Sequence, residues 1–504
     1  AEPVEIAIDN GVMTAVLSSR GAELTGVELS GYERSGGGAV QLVPEGETGA
    51  AALSLLDDGR WRPLSARVFE VTIDGREVED DELIRLGEER EEVRVVMSET
   101  MSGGGRASKT FTFRRDSYEV GLDVVIRREG EIRDAEAYAV SWKCGLEFNE
   151  KDRNWEKRQM AALGKVGEDF HDESAGKLDP DERKEHSGVV VWAGVRSKYF
   201  LSAIITGDQR SGTLAMSGDK ERGVAGYAVE YPFRGDPRRI EDSFRLYLGP
   251  LDMDRLEEYG VGLEKAIDLG RLRFFSSFIL KLMVWMYGFI PNYGAVIIII
   301  SIMTKILFYR LTHKSFKSMK DMQRLQPRIK ELQEKYKDDK AKLNEATMKM
   351  YKEAGVNPLG GCLPLLLQMP VFIALFNVLR NTIELRNAQF VLWIDDLSSP
   401  DVLFGLGVNL PFLGSEFHLL PILMGGAMVL QSKLGGSPTG DSAGPAAQTK
   451  MMQTFMPIIF TVLFYNMPSG LVLYWLVNNI LSIAQQYYVH RQIEADEAAA
   501  AAGA

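Results

Sequence analysis

Long apolar runs without a single formal charge, all beyond residue 274, constrain this chain most. Segments 282–304, 354–379, 417–432 and 451–489 contain no Asp, Glu, Lys or Arg. A helix that crosses a bilayer needs about 20 mostly apolar residues, and about 17 suffice. Hydrocarbon offers no water to backbone amides, so such runs must satisfy their hydrogen bonds internally, as helices. The last run is long enough for two helices, divided at Pro468-Ser469-Gly470. Five spans are therefore expected, near 291–311, 359–380, 417–434, 453–469 and 471–490. Segment 274–288 is expected to lie in the interface instead, because Lys281 sits in its middle and Trp285 and Tyr287 suit headgroup depth.

The first half follows a different rule. Tyr118, Val120, Leu122, Val124 and Ile126 alternate, as do Phe244, Leu246 and Leu248, and Val4, Ile6 and Ile8. Period-two alternation marks half-buried strands. Turn signals recur at Asn10-Gly11, Asp58-Gly59 and Asp74-Gly75. Many strands without interleaved long helices predict an antiparallel sandwich over 1–249. Residues 103–105 and the polar stretch 150–185 read as loops, the second partly helical. Segment 254–269 reads as an amphipathic helix leading toward the membrane. The chain opens on AEPVEIAIDN, already strand-like, and an exported domain needs a signal, so a segment upstream of Ala1 is expected.

Charge sets the orientation. Residues 310–353 hold 13 Lys and Arg against 7 Asp and Glu, within a chain whose net charge is −12. Segment 384–416 holds one basic residue, Arg386, and the turn at 468–470 none. The positive-inside rule puts 310–353 and the C-terminus in the cytoplasm and residues 1–273 in the periplasm. Within 312–353, Phe316, Met319, Met322, Leu325, Ile329, Leu332 and Tyr336 recur at three- and four-residue spacing, KDDK at 337–340 reads as a turn, and Leu343, Thr347, Met350 and Tyr351 continue the pattern. This predicts an antiparallel helical hairpin. Its basic face is either a solvated topology signal or a docking surface for something acidic, such as ribosomal RNA or anionic headgroups. The Gly/Ser/Pro-rich stretch 435–449 is expected to be disordered.

Several function classes drop out. Cys144 and Cys362 are the only cysteines, too few for a disulfide framework, and Cys362 reads as a small packing residue. The five histidines lack metal-ligand spacing, and no nucleotide-binding glycine motif occurs, so no cofactor is expected. Lys305 needs a reason of its own. It sits in IIIISIMTKILFY, where a charge costs about 2.5–3.5 kcal/mol on insertion scales. It either snorkels toward Arg310 or faces a polar cavity that Ser301, Gln368 and Asn478 help to line.

The residues also carry a resemblance. NPLGGCLPLLLQMPVFIALF (357–376), IELRNAQFVLWIDDLSSPD (383–401), LQPRIKELQEKYKDD (325–339) and MPSGLVLYWLVNNILSIAQQ (467–486) closely resemble the YidC membrane protein insertases, and YLGPLDMDRLEEYGVGLEKAIDLG (247–270) resembles that family's junction between periplasmic domain and membrane. The resemblance implies a multi-pass α-helical protein of the bacterial inner membrane. It implies an N-terminal periplasmic β-supersandwich (1–249), a linking and interfacial segment (250–290), a five-span insertase domain (291–490) with a cytoplasmic helical hairpin (312–353), and a short tail (491–504). Gram-negative members carry a further N-terminal transmembrane helix. The implied activity is insertion and folding of membrane proteins through a hydrophilic inner-leaflet groove, alone or with the Sec translocon, with nascent chains, ribosome and lipid as partners and no nucleotide. Lys305 takes the place of the groove cation, Ser301 and Trp475 match groove positions, and Met369, Phe372 and Leu375 match an apolar slide along which the substrate helix leaves. The family usually has Arg at position 305, often Tyr at 475 and proline at 310, and commonly a basic tail where this one is acidic.

Two other classes remain to be weighed. A transporter or channel predicts paired broken helices and more than one intramembrane ionisable group. A carbohydrate-active enzyme built on the sandwich needs a histidine and a carboxylate in one cleft, and His171 and His186 are the histidines of that half.

Overall fold

The computed structural model describes residues 2–502 except 79–81, 181, 208–209, 234, 236, 338, 357–362, 411–413 and 435–444. Its contacts divide into two units, Ala1–Ile267 and Asp268–Ala504.

Alternation builds the first unit. Tyr118, Val120, Leu122, Val124 and Ile126 are buried, and so are Phe244, Leu246 and Leu248. Strands Glu119–Arg127 and Arg239–Pro250 pair antiparallel with Val120 opposite Leu246 and Leu122 opposite Phe244, so both turn the same face inward. They lie inside a fifteen-stranded sheet; a second sheet has five strands, in the order Ala39–Gln41, Glu23–Glu33, Met13–Ser18, Glu5–Asp9, Glu82–Arg85. Asp58-Gly59 and Asp74-Gly75 both take positive φ at both positions, which lets two-residue turns follow the strand twist. They close the hairpins Ala52–Asp57 with Arg60–Pro63 and Glu70–Ile73 with Arg76–Glu77. One pairing departs from the antiparallel pattern: Glu5–Asp9 runs parallel to Glu82–Arg85. Between the sheets, the fully buried Lys109 donates from Nζ to the Ala22 and Ala51 carbonyls.

Two stretches differ from expectation. Residues 150–185 hold a short helix α1 (Arg153–Gln159) and two paired strands, Ala161–Val166 and Asp169–Ser174. The second of these buries no residue, so it shows no apolar alternation to read. Segment 254–269 is not one helix. α2 (Met253–Glu257) stops after five residues and a 3-10 turn follows at Leu263–Ala266. Gly260 and Gly262, at φ +65° and +82°, adopt the left-handed backbone that ends a helix.

The second unit is helical: α3 (Arg273–Tyr287), α4 (Tyr293–Leu307), α5 (Tyr309–Arg324), α6 (Gln326–Lys335), α7 (Lys340–Glu353), α8 (Leu363–Asn381), α9 (Leu420–Leu434), α10 (Pro445–Phe464) and α11 (Ser469–Ala502). Among the described residues no single helix is long and apolar enough to cross a membrane; Tyr293–Leu307 and Tyr309–Ser318, bent by 66°, pass together by length and composition. The bend falls at Phe308, where φ −95° and ψ 8° leave the helical range. Thr312 Oγ1 lies 3.0 and 3.1 Å from the Phe308 and Tyr309 carbonyls, a back-bonding that bends helices.

α3 turns Ser276, Ile279, Leu280, Met283 and Met286 inward and leaves Phe274, Phe278 and Trp285 exposed. The polar stretch 435–449 divides: residues 445–449 belong to α10, and 435–444 lie outside the described residues. Segment 491–502 continues α11. Phe417 is the last residue of a two-stranded ribbon, Phe404–Leu410 with Gly414–Phe417, rather than the start of a helix. α9 starts at Leu420 because Asp401 Oδ2 accepts the Leu419 and Leu420 amides, each at 2.9 Å.

Candidate functional site

Four residues separate Ser301 from Lys305, so both sit on one face of α4. Ser301 is fully buried and returns its hydroxyl to its own helix, 2.8 Å from the Ile297 carbonyl. Lys305 reaches across to α11. Its Nζ donates to Ser482 Oγ at 2.6 Å, Ser482 Oγ donates to the Asn478 carbonyl at 2.8 Å, and Asn478 Nδ2 donates to the Tyr474 carbonyl at 2.9 Å. A second bridge lies beside it: Gln485 Nε2 donates to Thr312 Oγ1 at 2.7 Å.

Beside this polar stripe opens a cleft of about 680 Å³. Lys305 and Arg310 are its charged lining residues, Gln485, Tyr309 and Tyr488 add polar groups, and no carboxylate lines it. Among the described residues neither Lys305 nor Arg310 forms an ion pair. Ile306 and Leu307, 71% and 74% exposed, form the outer wall.

Trp475 belongs to a different neighbourhood. Its ring meets Phe372 of α8 edge-on at 5.0 Å, and Phe464 and Phe460 of α10 at 5.5 and 5.8 Å. Its Nε1 is buried with no hydrogen-bond partner among the described residues, and so are Asn479 Nδ2 and Gln486 Oε1 on the same helix. Buried donors and acceptors are normally paired, and Asn478 Oδ1 on the same helix is also without a partner among the described residues. Gln368 and Met369 are half-buried on α8, and Gln368 makes no hydrogen bond among the described residues. Leu375 is fully buried. The structure thus joins Lys305 to Asn478 through Ser482 and joins Phe372 to Trp475, but it ties neither Ser301 nor Gln368 into the Lys305 stripe.

Ser482, Gln485 and Thr312 escaped the sequence reading. The signal was present: Asn478, Ser482 and Gln485 recur at four and three residues, one polar stripe on an apolar helix. Chemistry in the first unit has little support. His171 and His186 stack on each other, 3.6 Å between centroids, and the clefts around Tyr118 and around Leu55 contain neither. Cys144 is buried and its thiol is pushed up to about 12 by burial, so it is unreactive. Cys362 lies outside the described residues. No group of three or more His, Cys, Asp or Glu suited to a metal occurs among the described residues.

Comparisons with known proteins agree along nearly the whole chain. The family described as "YidC periplasmic domain" matches residues 5–286 and that described as "60Kd inner membrane protein" matches 285–497. A protein named "Membrane protein insertase YidC" from Chlorobium luteolum is 37% identical over 502 residues, covering 96% of this chain and 82% of its own length. Its namesake from Chlorobium phaeovibrioides is 38% identical over 496 residues, covering 96% and 83%. Among solved structures, a galactose mutarotase related enzyme from Lactobacillus acidophilus covers 49% of this chain and 97% of its own at 9% identity, with a TM-score of 0.32, too low to bear on fold or chemistry here.

Proposed function

The chain belongs to the YidC family of membrane protein insertases, and from that premise we propose that it works through the cleft beside Lys305, which receives the hydrophilic end of an incoming chain. It is an insertase rather than an enzyme: no bond need be made or broken. Moving a short polar segment is costly only across the dry core of the bilayer. A wet half-cleft shortens that core, and a fixed cation offsets part of the cost of desolvating an acidic segment. The substrate's own apolar helix then drives release by partitioning into lipid.

In this reading the five apolar runs span the inner membrane, α5–α7 with their basic excess form a cytoplasmic hairpin, α3 lies in the interface, and the first unit is periplasmic. The polar side of the groove is built on Lys305 and Gln485, with Ser482 and Asn478 holding Lys305 at rest; Ser301 and Gln368 lie off that stripe, and Trp475 stands with Phe372. Met369, Phe372 and Leu375 supply the apolar exit, with Phe372 meeting Trp475 where the two surfaces join. Nascent membrane proteins are the substrates; the ribosome and the Sec translocon are partners consistent with the basic hairpin.

The observation that carries the mechanism is the composition of the cleft: two basic side chains and, among its described lining residues, no carboxylate. The test is insertion of two single-span proteins, one with an acidic and one with a neutral translocated tail, at matched expression. Lys305→Arg should be tolerated, Lys305→Ala should slow the acidic-tailed protein selectively, and Lys305→Glu should be worst for it. Equal indifference of both substrates to Lys305→Ala would reduce Lys305 to a snorkelling residue.

A further inference from the structure

We propose that residues 390–404, the loop after α8 up to the first residue of the two-stranded ribbon, form a lipid anchor that places Val391, Leu392 and Phe404 in the headgroup–acyl boundary of the leaflet opposite the basic helices α5–α7. The inference rests on the five-span reading above.

The loop presents apolar side chains where solvent would penalise them. Leu392 is 85% exposed, Val391 48% and Phe404 51%, and Val402, Leu403 and Val408 are exposed beside them. Leu392 also has φ +59°, a left-handed conformation that an L-residue with a branched side chain takes at a cost of about 1–2 kcal/mol. Such a backbone persists only where its surroundings impose it.

The surroundings here do impose it. Asp396 Oδ1 accepts the Asn387 amide at 3.1 Å, the Ser398 amide at 2.9 Å and the Ser398 hydroxyl at 2.8 Å. Trp393 Nε1 donates to Asp401 Oδ2 at 3.0 Å, on the same carboxylate that caps α9. Ile394 and Leu397 are buried beneath. The start of α11 closes the platform: the Ser469 amide donates to the Ser399 carbonyl at 2.7 Å, the Gly470 amide to the Leu397 carbonyl at 3.0 Å, and the Ser469 hydroxyl to the Asp396 carbonyl at 2.7 Å. A hydrogen-bonded base thus holds a strained apolar tip outward.

Lipid is the occupant this tip fits. The loop is pinned to the starts of α9 and α11 and follows α8, so under the five-span reading it lies at the level where those helices meet headgroups. The helices on either side of the loop in sequence, α8 and α9, also expose apolar side chains, Ile373, Ile422 and Leu423. The loop's own apolar tips project outward instead of forming the concave pocket that a protein side chain would fill. Burying large apolar side chains at the acyl boundary is what anchors monotopic segments.

The experiment uses the full chain carrying Cys144→Ala and Cys362→Ser, with an environment-sensitive fluorophore on a cysteine placed singly at Leu392, Phe404 or Asp395. Asp395 is exposed on the same loop and serves as the aqueous control. The protein is reconstituted into phosphatidylcholine–phosphatidylglycerol vesicles, with and without lipid brominated near the headgroup end of its chains. The anchor predicts blue-shifted emission at 392 and 404, quenched roughly twofold or more by the brominated lipid, with 395 unaffected. Labels at 392 and 404 as wet and unquenched as the one at 395, in protein that elutes as a single species, would overturn the anchor and leave the tip as a surface for a protein partner. Sided labelling of cysteines at Ser318 and at the exposed Asp395 in cells tests the five-span reading separately, so failure of the topology and failure of the anchor are distinguishable.

Discussion

Two lysines removed from bulk water show how differently one residue type can be used. Lys305 spends its hydrogen bond on Ser482, a single neutral hydroxyl, and otherwise faces an open cleft. Ser482→Ala removes one charge-assisted hydrogen bond of about 1.5–3 kcal/mol from the resting state alone. Acidic-tailed substrates should therefore insert at least as fast in that variant, measured in the assay used for Lys305; a fall to the Lys305→Ala rate would make Ser482 part of the substrate's own binding surface. Lys109 is enclosed instead. Two carbonyls accept from it, on Ala22 and Ala51 at φ +49° and +56°, yet burial still depresses its pKa from 10.5 to about 7, with Glu23 opposing the shift. Between those values the unfolded chain holds about one proton more than the folded one. Its contribution to stability therefore rises with pH by about 1.4 kcal/mol per unit above pH 7 and is flat below. Lys109→Met should abolish that slope, read as the difference in urea midpoint between the two proteins at pH 7, 8 and 9.

At the scale of elements, the sequence was legible wherever burial follows a period and illegible where it does not. Strand Glu119–Arg127 announced itself because every second residue is buried, and α3 because its core contacts recur every three or four. Asp169–Ser174 did not, since an edge strand with no buried face carries no pattern. Segment 254–269 misled because its apolar spacing suits a helix while two glycines with positive φ break it. In the cleft, Lys305 stood out as a charge among isoleucines, whereas Ser482 is a small hydroxyl of a kind that many apolar helices contain, and only its distance to Lys305 marks it. α5–α7 carry a prediction of their own. Their apolar stripe and basic face, without a nucleotide site, fit a docking element. Replacing 316–350 by a short Gly/Ser linker should leave the spans inserted but impair rescue of insertase-depleted cells. Full rescue at normal expression would leave the hairpin as a topology signal only.

At the scale of the whole molecule, charge distribution governs. A chain of net charge −12 concentrates a local excess of six positive charges in 310–353, and by the positive-inside rule that asymmetry predicts which way the helices thread. A cysteine at Ser318 should be labelled only from the cytoplasm and one at the exposed Asp395 only from the periplasm; labelling of both from one side would exclude the five-span topology. The bend at Phe308 matters on this scale too. Proline kinks are permanent, because an amide hydrogen is missing and a ring stands in the way. No proline lies within 292–326, and the bend is held by the hydroxyl of Thr312, itself tethered to Gln485. The angle between α4 and α5 therefore rests on exchangeable hydroxyl and amide contacts, not on a covalent block built into the backbone.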